Sequence, residues 1–273
     1  MRNIIILLLL ISVSATFIRC KNPQQIELQK VEVDSLIVVD SFQYNNDSAY
    51  AMNSISIHID YPKTIEGIDD LSGLMSIIAS TLNKDTSIPQ SIYDVTELMK
   101  ANFRRSVEED CMKAEKNVPE LLEMGAFEDN VVRLHGCVNN IFSFEFESMT
   151  YTMGAAHPNT TVVYKAVDLK TNSVVKTSDF IDESNIQSVG SLIKEQLAIY
   201  FECDTADLSD LLFVSEITPN DNFIVSSTGV TWLYNRYEIA PYAAGAPTAF
   251  IPFTTLSYYI KPNSVLSSFV NGH

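Results

Sequence analysis

Two stretches of this chain repeat every second residue, and that period limits the fold more than any motif does. Ile55, Ile57 and Ile59 alternate with Ser54, Ser56, His58 and Asp60, while Phe142, Phe144 and Phe146 alternate with Ser143, Glu145 and Glu147. Successive residues of a strand point to opposite faces, so each stretch predicts a strand with one apolar and one polar side. Strands of that kind need a sheet around them and a cover over the apolar side.

The rest of the chain supplies both. Residues 31–42 and 50–61 read as strands, with Pro62 expected to end the second. From Val131 to Tyr164 the pattern is again strand-like, and Asp168 to Asn172 reads as a hairpin turn into Val174. Helical spacing appears over residues 68–82, with Leu71, Leu74, Ile77, Ile78 and Leu82 on one face and Asp69-Asp70 near the positive end. A second helix is expected over 92–116, charged on one side by Arg104, Arg105, Glu108, Glu109 and Asp110. A third spans 182–201, with Ile186, Val189, Leu192, Ile193, Leu197 and Tyr200 as its apolar stripe. Shorter pieces follow: a helical turn after Pro119, an amphipathic segment at 207–213, a hairpin at 223–234 and a last helix at 254–260 before Pro262. The expected class is α+β, with antiparallel sheets packed against three long helices, in two parts that divide near residues 178–183.

The N-terminus predicts export. Met1-Arg2-Asn3 is a minimal positive start, and Ile4 to Leu10 is an unbroken apolar run, too short to span a bilayer. Val13-Ser14-Ala15 offers small residues for ordinary signal removal. Cys20, followed by the polar stretch Lys21-Asn-Pro-Gln-Gln25, offers a lipoprotein lipidation site instead, although Arg19 is larger than the residue expected before such a cysteine. An uncleaved anchor is the third option. The lipoprotein reading is preferred, and each reading puts the body in the cell envelope, in the periplasm or on the outer surface.

Charge narrows the partners. The 273 residues carry 18 Lys+Arg against 34 Asp+Glu, a net charge of −16. Removing residues 1–19 strips Arg2 and Arg19 and no acid, leaving 16 basic against 34 acidic side chains and a net −18. Such a surface repels phosphate backbones and anionic headgroups, which argues against nucleic acid and leaves membrane contact to an N-terminal lipid anchor. It attracts cationic partners, though the same charge also serves plain solubility. Beyond Cys20 stand Cys111, Cys137 and Cys203, with no zinc-type spacing to any histidine. Either Cys111 and Cys137 are bridged or all three are buried thiols.

Patterns of catalysis are absent: no Gly-x-Ser-x-Gly, no His-Glu-x-x-His, no phosphate loop and no dinucleotide fingerprint. No catalytic residue, metal or cofactor is expected. Two turn segments stand out instead, Tyr151-Thr-Met-Gly-Ala-Ala-His-Pro-Asn159 and Tyr237-Glu-Ile-Ala-Pro-Tyr-Ala-Ala-Gly-Ala-Pro247. The first offers Tyr151, Gly154, His157 and Asn159 as binding residues; the second offers Tyr237, Glu238, Tyr242 and Gly245, with Trp232 just upstream. His157 serves either as a hydrogen-bonding contact or as a donor to a backbone carbonyl that fixes its loop. Trp232, Tyr237 and Tyr242 form either an aromatic patch or buried rings with satisfied polar tips. Glu238 is either a contact for a cation or an exposed strand residue.

These segments also carry a resemblance. Ser143 to Asn159, with Val167 to Asn172 and Ser178-Asp-Phe180, resembles the front domain of exported domains of unknown function that also precedes the catalytic part of PdaC-type peptidoglycan deacetylases. Asn222 to Val225, Gly229, Asn235 to Gly245 and Ile251 to Leu256 resemble the C-terminal domain of the RsiV-like family of anti-sigma factors, whose outer part binds lysozyme. The likeness spans most of residues 50–262. After the signal peptide read at 1–19 and a tether and first strand at 21–49, it implies a front domain at 50–180 and an RsiV-like domain at 181–265. It also implies binding of a cationic protein such as lysozyme, or of cell-wall glycan. Only three residues precede the apolar run, so a cytoplasmic sigma-binding role is not expected. The deacetylase's paired aspartates and histidine ligands have no counterpart, and the family's glycine pair before His-Pro is Gly154-Ala155-Ala156 here. An uncharacterised envelope hydrolase centred on His157 is the remaining reading.

Overall fold

The structure is a computed structural model that describes residues 26–83 and 91–270. The signal-like segment, Cys20 and the tether 21–25 lie outside the described residues.

The front of the chain builds one sheet around two helices. Strands β1 (Leu28–Gln29), β2 (Val31–Gln43) and β3 (Met52–Ile65) come first, then helices α1 (Ser72–Leu82) and α2 (Ile92–Asn117). Strands β4 (Phe127–Val138), β5 (Ile141–Tyr151), β6 (Asn159–Asp168) and β7 (Ser173–Val174) follow. The sheet runs β2-β3-β4-β5-β6-β7, with β1 alongside β4. All pairs are antiparallel except β3–β4, the pair joined through α1 and α2. A parallel neighbour needs a long crossover, and the two helices are that crossover.

The helices lie where the alternation demands. Ile55, Ile57 and Ile59 of β3 and Phe142, Phe144 and Phe146 of β5 pack with Leu74 and Ile78 of α1 and Val95, Phe103 and Val107 of α2. Each such fully buried side chain stabilises by about 1.5–3 kcal/mol. Ser91 caps α2: its hydroxyl accepts the Asp94 N–H at 3.1 Å and donates to the Asp94 carboxylate at 2.9 Å. Helix α1 begins later than residue 68, because Gly67 at φ +78 turns the chain and the Ile68 N–H is bonded to the Ile65 carbonyl. The Asp70 carboxylate then accepts the Ser72 N–H at 2.8 Å.

Pro62 does not end β3, which continues to Ile65. Beyond Ile59 the strand pairs only with β2, and the register shifts between Glu32 and Val33, opposite Pro62. The missing N–H therefore costs no ladder bond on the β4 side. β2 itself is an outer strand, and there Ser35 and Ser41 donate their N–H groups to the carboxylates of Asp34 and Asp40, each at 2.9 Å. Between them Ile37 and Val39 stand 66% and 71% exposed.

The back of the chain covers the other face at the β5–β6 end. Helices α3 (Thr177–Phe180), α4 (Ile186–Tyr200) and α5 (Leu208–Leu211) precede a second sheet of three strands. Its strands are β8 (Phe223–Val225), β9 (Gly229–Leu233) and β10 (Thr248–Pro252), in the order β10-β9-β8, followed by helix α6 (Phe253–Leu256). A second core joins Val189, Ile193 and Leu197 of α4 to Phe223, Trp232, Ala249 and Ile251, and reaches Val138, Ile141 and Ala166 of the large sheet. Strand β10 has no counterpart in the sequence-based expectations, and α6 is shorter than the expected helix at 254–260: Ile260 instead bridges to Ile181.

The two sheets are not continuous, and side chains join them. Asn235 accepts the Val162 N–H at 2.7 Å and donates to the Val162 carbonyl at 2.9 Å. Asn222 accepts the Tyr164 N–H at 2.6 Å and donates to the Val162 carbonyl at 3.1 Å. Buried Ser143 both accepts the Val225 N–H and donates to the Val225 carbonyl, each at 3.0 Å. Of the cysteines, Cys111 and Cys137 are buried free thiols, so neither is bridged. Burial pushes the Cys137 thiol up to about 12, and its S–H is bonded to Gln29 Oε1 at 3.2 Å.

On the polar face of the large sheet Arg133 Nη1 donates to Glu145 Oε1 at 2.7 Å and Glu147 Oε2 at 2.9 Å, and His135 Nε2 meets Glu145 Oε2 at 3.0 Å. The His135 and Arg133 contacts hold the Glu145 carboxyl below its ordinary value.

Two outcomes follow from these contacts. Asn235→Ala leaves the partly buried Val162 N–H without an acceptor and lowers the unfolding free energy by about 1–3 kcal/mol in urea titration; an unchanged midpoint counts against the stitch. A carboxyl with a depressed folded pKa contributes stability above its unfolded pKa and loses it as pH falls through the folded value. Wild type therefore loses more stability than Glu145→Gln between about pH 5 and pH 3. Parallel pH profiles would remove Glu145 from the account.

Candidate functional site

The two turns singled out in the sequence meet in space. The first connects β5 to β6. Its opening is closed by the Ala155 N–H to the Thr152 carbonyl at 3.0 Å, with Gly154 at φ +80 in the third position. That position favours glycine, and a Cβ there would stand 2.9 Å from Leu121 Cδ2. The second turn lies between β9 and β10. A 3-10 turn at Tyr242–Ala244 ends on Gly245 at φ +74, where a Cβ would meet the Tyr200 hydroxyl at 3.2 Å.

Contact between them centres on Tyr242. The His157 ring stacks on the Tyr242 ring with centroids 3.9 Å apart and planes 28° apart. The Tyr242 hydroxyl donates to the Pro158 carbonyl at 2.8 Å, and His157 Nδ1 lies 2.9 Å from the same oxygen. A carbonyl only accepts, so Nδ1 carries the proton. Of the two readings of His157, the loop-fixing donor is the one present, and the exposed ring is aligned by it. Tyr237 adds a third ring, 5.8 Å from Tyr242 and 57% exposed. Its backbone sits at φ +65, a conformation that is an outlier for a bulky residue, and its N–H bonds the Ala240 carbonyl.

Trp232 does not belong to this patch. It is buried in the second core against Phe180 and Phe223, because its strand β9 lies in the middle of its sheet and packs both ways. Glu238 is exposed, yet both its oxygens serve the fold: one accepts the Asn235 N–H at 2.8 Å, the other Asn220 Nδ2 at 2.9 Å. Asn159 is exposed at the start of β6, paired in register with Thr150. A residue that the sequence did not single out is Arg236, whose guanidinium carbon lies 5.2 Å from the Tyr242 ring centre.

Tyr151 faces elsewhere. Its ring stacks on Phe127 at 5.6 Å, and both border a groove of about 480 Å³ between α2 and the ends of β4 and β5. Met99, Phe103, Phe127, Tyr151 and Met153 bring apolar side chains to this groove among polar ones; Glu109, Asp110 and Glu128 give it carboxylates, and among the described residues Arg105 lines it as a cation while Lys113 is paired with Asp110 at 3.0 Å. A smaller, more apolar recess of about 280 Å³ adjoins it, sharing Asp110, Thr152 and Met153. The first turn thus borders the groove through 151–153 and the aromatic junction through His157. Among the described residues no group of three or more His, Cys, Asp or Glu side chains is placed to hold a metal ion.

Residues 178–254 match the model of a family described as Protein of unknown function (DUF3298). Two solved structures share the fold. One is a member of the DUF3298 family from Bacteroides fragilis, 21% identical with a TM-score of 0.71, the match covering 91% of this chain and 99% of that one. The other is a DUF3298 family protein from Pseudomonas aeruginosa, 18% identical with a TM-score of 0.60, covering 86% and 96%. At these identities the likeness shows the fold alone. No curated protein matches the chain.

Tyr242→Phe removes the hydroxyl bond that ties the second turn to Pro158 and keeps the stacked ring. It lowers stability by about 0.5–1.5 kcal/mol in thermal or urea unfolding, and loss of a signal from the His157 ring in NMR reports the loosened junction. A variant as stable as wild type with an unmoved His157 signal would mean the bond holds nothing.

Proposed function

We propose that the protein is an exported, lipid-anchored, noncatalytic binding module of the cell envelope whose groove accepts a basic surface of a cationic protein such as lysozyme. The observation that carries this reading is the make-up of the groove: apolar side chains of Phe103, Phe127 and Met153 beside the carboxylates of Glu109, Asp110 and Glu128. Lysine and arginine bury their aliphatic stems on apolar surface while the charged head stays with acids or water, and this groove offers both at once. The net charge of −16 adds long-range attraction for the same partner. The RsiV-like sequence of the back half and the lipoprotein-like start around Cys20 support the same assignment.

Cell-wall glycan is the second reading, favoured by the exposed Tyr237 beside Tyr242 and His157. The PdaC-like front half points the same way. A hydrolase centred on His157 has less support, since that ring is engaged with a carbonyl and a tyrosine rather than with a carboxylate.

Calorimetric titration against hen lysozyme at low and at physiological salt tests the first reading. Binding weakens as salt rises, and the exposed-helix double variant Glu109→Lys/Asp110→Lys weakens it by about tenfold or more, roughly 1.4 kcal/mol. Absence of salt-sensitive binding, or equal binding by the double variant, rejects the groove. Retention on purified peptidoglycan that is lost in Tyr237→Ala, together with absence of lysozyme binding, would transfer the assignment to the glycan.

A further inference from the structure

We infer that the junction of the two turns is a site for a carboxylate-bearing sugar, with Arg236 as the anion contact and Tyr237 as the stacking face. The inference rests on the glycan reading of the turns and deepens it, and it uses none of the residues that line the groove.

Arg236 stands apart from the other described arginines. Acids outnumber bases by 34 to 18, and each of the others has a polar side-chain partner: Arg133 holds Glu145 and Glu147, Arg104 lies 3.8 Å from Asp40, and Arg105 donates to Asn102 at 2.8 Å. Arg236 has no ion pair among the described residues, and its buried Nε has no acceptor. The acid two residues away is not available, because Glu238 is occupied by Asn235 and Asn220. One neighbour of the guanidinium is known, the Tyr242 ring. A planar fork steadied by an aromatic ring and left without a counter-ion is suited to bidentate recognition of a carboxylate.

The surroundings favour a sugar as its carrier. Tyr237 is held in the left-handed region, where a bulky residue is strained, and the result is an exposed ring next to Arg236. Tyr242 and His157 extend that surface, and His157 Nε2 has no partner among the described residues. Exposed rings of this kind accept the C–H face of a pyranose, while the guanidinium takes an acidic substituent on its rim. The site is also held firmly. Asn235, adjacent to Arg236, is the residue that grips Val162 of the large sheet, so the anion contact and the His157 turn are fixed relative to each other.

N-acetylmuramic acid and N-acetylglucosamine differ by one lactyl ether carboxylate, and they make the test. NMR titration at physiological salt follows the Arg236 Nε–H signal, assigned by its disappearance in Arg236→Gln. Wild type binds the acidic sugar at least about tenfold more tightly than the neutral one, with the Arg236 signal shifted only by the acidic one. Arg236→Gln abolishes that preference while its melting temperature stays at the wild-type value, and Tyr237→Ala weakens both sugars. Retained preference in Arg236→Gln overturns the inference, as does equal binding of the two sugars or binding of neither. Free lactate shifting the Arg236 signal as strongly as the amino sugar would also overturn it, because the site would then be a simple anion contact.

Discussion

Everything in the back half hangs from one open strand edge. β6 is paired with β5 on one side, but on the other β7 reaches only Val167 and Asp168. Further along, at Val162 and Tyr164, the backbone needs partners that no strand provides. Asn235 and Asn222 supply them with side-chain amides, each presenting an acceptor and a donor as a peptide would. Ser143 does the same in reverse, reaching from the large sheet to Val225 of the small one. An unsatisfied buried amide costs about as much as a protein of this kind can spare at one position, so these side chains decide where the second sheet sits.

That placement makes the site. The first turn belongs to the large sheet and the second to the small one, so their contact exists only because the two sheets are held in one arrangement. The stacked His157 and Tyr242 and the shared Pro158 carbonyl then close the junction. Energy is spent locally as well, in the left-handed backbone of Tyr237 and the unpaired Nε of Arg236.

Much of the architecture was legible because burial leaves a period. The isoleucines of β3, the phenylalanines of β5 and the apolar faces of α1, α2 and α4 stand where their spacing puts them, except Tyr200, which ends the α4 stripe exposed. The failures have local causes. Pro62 sits in a strand whose N–H was not needed by a second neighbour, so a rule about breakers did not apply. β10 is five residues between Pro247 and Phe253 and ends in a proline, which hides a strand paired fully with β9. Trp232 was grouped with Tyr237 and Tyr242 by residue type, whereas its place in a central strand buries it. The turns themselves were visible through Gly, Pro and Tyr, but their meeting was not, since it depends on two asparagines that look like ordinary loop residues. Arg236 could have been noticed as an uncompensated base in an acidic chain, yet its lack of a partner is a fact of three dimensions.

The acids that cap β2 affect the company the protein keeps. A bare strand edge is a template on which any extended chain can assemble, and thirteen residues make a long template. Asp34 and Asp40 occupy the amides of Ser35 and Ser41, which leaves Ile37 and Val39 as the outward donors of the stretch between them. Two guarded amides break an adhesive ribbon into shorter stretches, each a poorer template for a passing chain.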